Sequence, residues 1–306
     1  MSGPGPQYDI PYELVGPDGT RVVFNDKTDP DYVGVLTSVS GLDSPDVRES
    51  ADDLVQFDGG VHGDFFYGRR PVVLEGIIFD HGTTTERNDR LDKIRQATNA
   101  LRADLTMTFT PDGSIPMFTT LRRQQPIRFD GGWNKTFQIP LVAADPRIYS
   151  ATLSSSSVMA DDQLGGATGA GFDQGFDIDF GAAAPTGQLF VVNSGNTETW
   201  PIYTLFGPGT GPSITNFTTG SSIALNYTLS STEGFIIDTL NRTVQLGTIL
   251  NPTDLDPSTL TNKYGVLDFA NTIWGGLAPG SNDLRFNWFS LGAGAKLRVD
   301  WRYAWI

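Results

Sequence analysis

Residues 83–109, TTTERNDRLDKIRQATNALRADLTMTF, contain the change of periodicity that decides the fold class. Their apolar residues first recur at spacings of three and four, which predicts an amphipathic helix. In the final LTMTF they alternate strictly with threonine, which is typical of a half-buried strand. Thr83 and Glu86 have the spacing of a capping box at the start of the helix. We therefore predict one helix, over about residues 83–105, that runs directly into a β-strand.

β patterns dominate the rest of the sequence. Residues 72–79 are a β-branched run between turn residues, which is typical of a strand. Residues 235–246 fit a hairpin that turns near Leu240, and apolar residues alternate along one strand over 297–305. Short strands separated by turn signals indicate antiparallel sheets. We predict a mainly β protein, with an α+β N-terminal module that holds the one helix and a C-terminal antiparallel β-sandwich.

A segment rich in glycine and serine, residues 154–187, separates two halves of the chain. It opens with four flexible serines, and phenylalanines interrupt its second part, so we expect part of it to dock as a strand. The predicted organisation is an N-terminal module over 1–153, this segment over 154–187, and the sandwich over 188–306.

Composition excludes several classes of protein. The 306 residues include no cysteine, which rules out a disulfide framework and a thiolate metal site, and only His62 and His81 offer imidazole. Residues 1–10 lack a basic region followed by an apolar run, so we expect no signal peptide. The chain also lacks about 18 consecutive apolar residues, so we expect no transmembrane helix.

The charge is strongly negative and unevenly distributed. The formal net charge of −14 argues against non-specific nucleic-acid binding, which needs clustered lysine and arginine. Residues 1–60 hold 3 basic and 12 acidic groups, whereas residues 61–150 hold 12 basic and 10 acidic groups. The first half is therefore a dipolar, heavily solvated module.

The sequence lacks the motifs of the common catalytic and nucleotide-binding sites, including the P-loop, the nucleophile elbow and the zinc-protease helix. We interpret His62, which lies between glycines, as a surface residue. The pairs Asp177/Asp179 and Asp254/Asp256 have a spacing that can hold Ca²⁺, but turn acids are the better interpretation. We predict no enzyme, no cofactor and no metal site. A glycoside hydrolase, which needs only two opposed carboxylates, is a distant alternative.

Five of the six tryptophans lie in the second half. Trp288, Trp301 and Trp305 follow strand alternation and are predicted to lie in the core. Trp200 and Trp274 stand beside proline and glycine, and they are the candidate glycan contacts, because a flat aromatic face can stack on a sugar ring.

Several motifs, in their order along the chain, resemble siphophage distal tail proteins. In the first half these are residues 41–48, 58–63 and 67–77, the last with a Gly-x-Arg entry into a long strand. In the second half, the Leu-x-Pro-Gly-x-Asn turn over 277–282 resembles the turn before the closing strands of that family's galectin-like sandwich. Further matching stretches are residues 137–147, 193–196, 201–203 and 236–244.

The resemblance implies a structural role in a phage tail. Distal tail proteins form a hexameric ring at the distal end of a long non-contractile tail, where the ring joins the tail tube to the tail-tip or baseplate hub. The implied partners are other copies of the chain, the tail tube protein, the tape-measure protein and the hub protein. The implied location is the virion, after synthesis in the host cytoplasm. The alternative is a carbohydrate-binding accessory module at the tail tip that recognises host cell-wall glycans.

Charge and ring symmetry together give two hypotheses. A ring joins unlike faces of successive subunits, so the acidic residues 1–60 would contact the mildly basic residues 61–150 of the next copy. Arg122 and Arg123 are the candidate interface residues. Acidic side chains would also line the lumen, so that DNA passes through it without specific binding.

Overall fold

The computed structural model describes residues 10–53, 60–79, 83–99, 103–111, 114–159, 187–291 and 294–306. The chain divides into two compact units, each with its own hydrophobic core. The first unit is Met1–Thr152 with Trp305–Ile306, and the second unit is Leu153–Ala304. Strands dominate both units, which confirms the predicted mainly β fold.

Among its described residues, the first unit contains one α-helix, α1 (Thr84–Ala97), and a series of strands. The strands are β1 (Tyr12–Val15), β2 (Arg21–Phe24), β3 (Tyr32–Ser40), β4 (Val47–Asp53), β5 (Gly60–Tyr67), β6 (Arg70–Ile78), β7 (Leu105–Phe109), β8 (Met117–Arg123), β9 (Arg128–Asp130), β10 (Lys135–Ala143), β11 (Ile148–Ser150) and, at the end of the chain, the strand Ala304–Trp305.

Most of these strands form one ten-stranded sheet that closes into a barrel. Its strand order runs from the strand Ala304–Trp305 through β11, β8, β7, β1, β2, β3, β6 and β10 to β9. β8 also pairs with β10, through the partners Leu141↔Arg123 and Val142↔Arg122, and this pairing closes the ring of strands. β4 and β5 pair only with each other among the described strands, and they form a separate two-stranded sheet.

The barrel core is filled by side chains that alternate between the inner and outer faces of the strands. In β6 and β10 every second residue is buried, so residues such as Leu74 and Ile139 face the core while their neighbours face outward. α1 contributes Leu91, Ile94 and Ala97 to the same core. These three belong to the apolar stripe predicted from the sequence.

The two ends of α1 differ in how well the sequence predicts them. The predicted capping box is confirmed, because the Thr83 hydroxyl accepts from the Glu86 backbone N–H at 3.3 Å and the Glu86 carboxylate accepts from the Thr83 N–H at 2.8 Å. The predicted extension to residue 105 is wrong. The helix ends at Ala97, where the Thr98 hydroxyl donates to the Ile94 carbonyl at 2.6 Å, and Leu105 begins β7.

The second unit contains two antiparallel sheets around one core. Its strands are β12 (Ser154–Met159), β13 (Gln188–Asn193), β14 (Ile202–Phe206), β15 (Gly209–Asn216), β16 (Ser221–Ala224), β17 (Thr228–Leu229), β18 (Glu233–Asp238), β19 (Thr243–Asn251), β20 (Asp254–Leu255), β21 (Thr261–Asn262), β22 (Gly280–Leu291) and β23 (Lys296–Trp301). Two short 3-10 helices, Pro257–Thr259 and Tyr264–Val266, connect strands near β21. The strand Ala304–Trp305 is β24.

The larger sheet of the second unit has the strand order β12–β23–β14–β18–β19–β20, with β21 paired to β19. The smaller sheet has the order β13–β22–β15–β16, with β17 paired to β15. Core residues such as Phe235 and Phe286 come from both sheets. The predicted hairpin is present as β18 and β19, with its turn at residues 239–242.

Two expectations for the second half are wrong. The four serines that open residues 154–187 lie in β12, which pairs with β23, because ladder hydrogen bonds use the backbone and do not need apolar side chains. The strand predicted over 297–305 ends at Trp301, and Trp305 belongs to the first unit. The rest of the Gly/Ser-rich segment, residues 160–186, lies outside the described residues. In the described part of the chain, no helix is long and apolar enough to cross a bilayer.

Candidate functional site

β4 and β5 form a hairpin that exposes apolar side chains on both of its faces. We call this hairpin the arm. Successive side chains of a strand point to opposite faces, yet the consecutive Phe65, Phe66 and Tyr67 are 58%, 62% and 48% exposed. Val47, which pairs with Tyr67, is also exposed. Both faces of the arm therefore present large apolar side chains to solvent.

The arm has the properties of an interaction surface. An isolated two-stranded hairpin is only marginally stable in water, and contiguous exposed apolar surface marks contact sites in folded proteins. Residues 47–67 also hold five acidic groups and one basic group. A surface that covers the arm should therefore be apolar and positively charged.

The base of the arm is held by backbone contacts and one buried cation. The Gly68 N–H donates to the Asp46 carbonyl at 2.6 Å, which ties the two ends of the hairpin together. Arg70, the first residue of β6, is fully buried. Its Nε donates to the Pro146 carbonyl at 2.7 Å and its Nη1 donates to the Gly41 carbonyl at 3.0 Å. Arg70 thus links the start of β6 to two loops of the first unit.

Gly41 is required by the geometry of this base. Its φ is +89°, and a Cβ at this position would lie 1.8 Å from the Pro71 carbonyl oxygen. A side chain could be accommodated only if the backbone moved. The Gly-x-Arg entry and Gly41 therefore cooperate to place the arm.

A depression elsewhere on the first unit has the character that the arm requires. It has a volume of about 540 Å³ and is lined by Arg95, Arg123, Ile127 and Phe129, among others. The Arg95 guanidinium lies 5.0 Å from the centroid of the Phe129 ring, so cation and aromatic ring form one surface. We call this surface the arginine depression.

The two candidate arginines of the ring interface therefore have different surroundings. Arg122 forms an ion pair with Asp104, with 2.7 Å between Nη2 and Oδ1. Its charge is largely compensated within its own subunit. Arg123, the next residue of β8, lines the arginine depression.

Part of the acidic charge of residues 1–60 is also compensated internally. The Arg21 guanidinium contacts Glu13, Asp29 and Asp31 at 2.8–3.2 Å, and Lys93 of α1 contacts Asp31 at 3.1 Å. The hydrogen bond from Arg21 lowers the pKa of Asp29. The hydrogen bonds from Lys93 and Arg21 lower the pKa of Asp31. These contacts within the chain therefore reduce the charge difference between residues 1–60 and 61–150 that the sequence predicts.

Trp200 and Trp274, the candidate glycan contacts, lie in the second unit. Both are half-buried, and Trp274 packs against the core of the second unit. Trp301 is buried as predicted, and its Nε1 donates to the Val192 carbonyl at 2.9 Å. Trp288 is half-buried against the same core.

The remaining candidate residues have structural contacts or lie outside the described residues. Asp254 contacts Arg298 at 2.9 Å, and Asp256 caps a 3-10 turn by accepting from the Ser258 N–H at 2.9 Å. No cluster of metal-ligating side chains occurs among the residues described. His62 lies in β5, where its backbone is opposite Ala51. His81, Asp177 and Asp179 are outside the described ranges.

Comparisons with known proteins identify the fold. No protein-family model and no curated protein matches this sequence. Among solved structures, the chain is similar to the Dit (gp 19.1) protein of phage SPP1, with a TM-score of 0.66 and 13% identity. The match covers 96% of this chain and 99% of that chain. The fold is that of SPP1 Dit.

A second similarity points the same way. The chain is similar to a chain of the phage P2 baseplate in its activated conformation with Ca, with a TM-score of 0.52 and 13% identity. That match covers 95% of this chain and 97% of the baseplate chain. The resemblance to siphophage distal tail proteins is therefore confirmed at the level of the fold.

The sequence analysis missed the arm, the arginine depression and the role of Arg70. The signal for the arm was present in three consecutive aromatic residues, since an alternating strand cannot turn all three toward one core. The depression joins Arg95 of α1 to the segment 123–129, which runs from the end of β8 into β9, and Arg95 meets this segment only in the folded chain. No motif in the sequence predicts that Arg95 lies beside this segment.

Proposed function

We propose that this chain is a structural protein of a long non-contractile phage tail. Copies of it form a closed hexameric ring at the distal end, where the ring joins the tail tube to the tail-tip or baseplate hub. The observation that carries this proposal is the match to SPP1 Dit over nearly the full length of both chains. That protein is described as a paradigm of the hub adsorption apparatus in phages that infect Gram-positive bacteria.

The arm and the arginine depression supply the contact between neighbouring copies. A ring uses a heterologous interface, in which one surface of each subunit contacts a different surface of the next. The arm is acidic and aromatic, and the depression has two arginines beside apolar side chains, of which Arg95 is paired with Asp92 at 2.6 Å. The arm of one copy therefore covers the depression of the next copy, and Arg123 provides the charge that faces the acidic arm.

The ring has structural partners and no catalytic task. Its neighbours are the tail tube protein, the tape-measure protein and the hub protein. The net charge of −14 favours a lumen that DNA crosses without specific binding. A ring whose bore is lined by arginine and lysine would contradict this last point.

The test is the solution mass of the full chain, measured by light scattering after size exclusion. We expect a particle of about 200 kDa, since six copies of 33.1 kDa form the closed ring. Phe66→Ser and Arg123→Glu should each lower the solution mass toward that of one subunit. Adding Asp64→Arg to the Arg123→Glu variant should partly restore assembly. Phe190→Ser is the matched control, because Phe190 is 61% exposed and lies in the second unit.

Two results would contradict the proposal. One is a wild-type chain that stays at the mass of one subunit at every concentration, including in the presence of its tail tube protein. The other is a ring that forms equally well with Phe66→Ser and with Arg123→Glu, which would show that the arm and the depression do not make the interface.

A further inference from the structure

The smaller sheet of the second unit has an open cleft on its outer face, which the proposed ring does not use. The cleft has a volume of about 900 Å³. β15 and β16 form its floor, Phe289 of β22 forms one wall, and residues 268–271 form another. A concave surface of this size with several polar groups is the usual form of a small-molecule site.

The floor is polar and flat because of strand alternation. In β15 and β16, Ile214 and Ile223 are buried in the core, whereas Ser213, Thr215 and Ser222 point to the outer face. Small hydroxyl side chains keep the floor low and offer both donors and acceptors. The floor can therefore hydrogen-bond a ligand that lies flat along the strands.

The walls are preformed and add one aromatic ring. The Asp268 carboxylate accepts from the Asn271 side-chain amide at 2.7 Å, and the Ser222 hydroxyl donates to the Asn271 carbonyl at 2.7 Å. These bonds fix the 268–271 loop on the edge of the floor. On the other side, Phe289 is 90% exposed. Its ring is a free apolar face beside the hydroxyl floor.

The lining residues define the chemistry of the ligand. Asp268 is the one charged residue among those that line the cleft, so an anionic ligand is disfavoured, and the net charge of −14 acts in the same direction. The hydroxyl floor and the exposed amide of Asn226 disfavour a purely apolar ligand, which would leave them unpaired. A sugar ring has many hydroxyl groups and one apolar C–H face, which matches a polar floor beside an aromatic ring.

We propose that this cleft binds a neutral oligosaccharide. The apolar face of one sugar ring stacks on Phe289, and its hydroxyl groups bond to Ser213, Thr215 and Asn226. This site is distinct from Trp200 and Trp274, which are half-buried. It also does not depend on the ring, since all of its residues belong to the second unit.

The test is isothermal titration calorimetry of the full chain with three neutral oligosaccharides. They are cellotriose, maltotriose and the trimer of N-acetylglucosamine. Polygalacturonate serves as the anionic probe. We expect at least one neutral trimer to bind, and Phe289→Ala to weaken its binding about tenfold through loss of stacking. Asn226→Ala should also weaken it. Phe190→Ala is the control, because it removes an equally large exposed ring from β13 outside the cleft.

Several outcomes would overturn the inference. They are an absence of binding by all three neutral trimers, tighter binding of polygalacturonate, and binding that both cleft variants leave unchanged. Loss of binding in Trp274→Ala with none in Phe289→Ala would place the sugar elsewhere. Light scattering of Phe289→Ala separates the two proposals, since we expect this variant to keep the mass of the wild-type assembly.

Discussion

At the scale of single residues, two buried polar side chains illustrate how hydrogen bonds to backbone groups hold loops and turns in place. The Asn282 side chain illustrates this: its Oδ1 accepts from the Ala278 N–H at 2.9 Å and its Nδ2 donates to the Ala278 carbonyl at 2.8 Å. These two bonds close the turn before β22. The asparagine that ends the Leu-x-Pro-Gly-x-Asn motif is thus explained by hydrogen bonding.

Arg70 is the corresponding residue in the first unit, and we expect Arg70→Met to lower its free energy of unfolding by about 2–4 kcal/mol. The substitution keeps most of the apolar volume but leaves the Gly41 and Pro146 carbonyls without the donor they have in the wild type. Urea unfolding measures the change. The neighbouring Arg69 is exposed, so Arg69→Met should change stability by less than about 0.5 kcal/mol. Equal effects of the two substitutions would contradict the role assigned to Arg70.

At the scale of elements, α1 is attached to the barrel by charge as well as by its apolar stripe. Lys93 of α1 contacts Asp31, and Arg21 of β2 contacts the same carboxylate. The helix is therefore tied to β2 and to the loop before β3 by one network of ions. Such a network stabilises the fold only while its carboxylates are ionised.

This network predicts how stability depends on pH. The pKa values of Asp29 and Asp31 are lowered in the folded chain by bonds from Arg21 and Lys93. Their contribution is therefore present above the unfolded pKa of about 3.9 and is lost as the pH falls through the lowered folded values. Arg21→Met removes a cause of both shifts, so its urea midpoint should fall less than that of the wild type between about pH 5 and pH 2.5.

Lys27→Met is the control for this experiment. Lys27 is exposed in the same loop, and its substitution removes one positive charge, as Arg21→Met does. Its midpoint should depend on pH as that of the wild type does. If Arg21→Met and the wild type lost stability in parallel on acidification, the ion network would not contribute to the stability of the folded chain.

Elements were predictable from the sequence where periodicity and local bonds determine them. The N-terminus of α1, β7 and the β18–β19 hairpin all have such signals, and the structure contains them. The end of α1 and the strand β12 were not predictable, because a threonine that bonds back to its own helix and a serine-rich strand that pairs with β23 leave no mark in apolar spacing. The candidate sites were the hardest to predict, since the arginine depression depends on Arg95 meeting the segment 123–129, and the cleft joins three segments that are distant in sequence.

At the scale of the whole molecule, each unit has its own hydrophobic core. Phe235 is fully buried in the core of the second unit and packs edge-on against Tyr227, with ring centroids 5.3 Å apart. Phe235→Ala should destabilise that unit by about 3–5 kcal/mol, because it leaves a cavity in a closely packed core.

Amide hydrogen exchange measured by mass spectrometry can test this prediction. We expect exchange in Phe235→Ala to become faster in β14 and β18, while β6 and β10 keep the rates of the wild type. Val244→Thr, at another buried position of the same core, should have a smaller effect on the same strands. Equally faster exchange in β6 and β10 would show that the two cores unfold as one.

The pairing of β8 with β10 also limits the backbone contacts that the first unit can make with other chains. An open sheet exposes a row of unpaired backbone groups that can recruit further strands without limit and so lead to aggregates. In the described part of the first unit, the closed barrel removes that hazard from β8, β7, β1, β2, β3, β6 and β10. The sheet ends at the three-residue β9 and the two-residue β24, and the arm lies outside the barrel. The barrel therefore offers few free backbone groups to the strand of another chain. In the proposed ring, copies would then associate through side-chain contacts, and these contacts are all used once the ring closes.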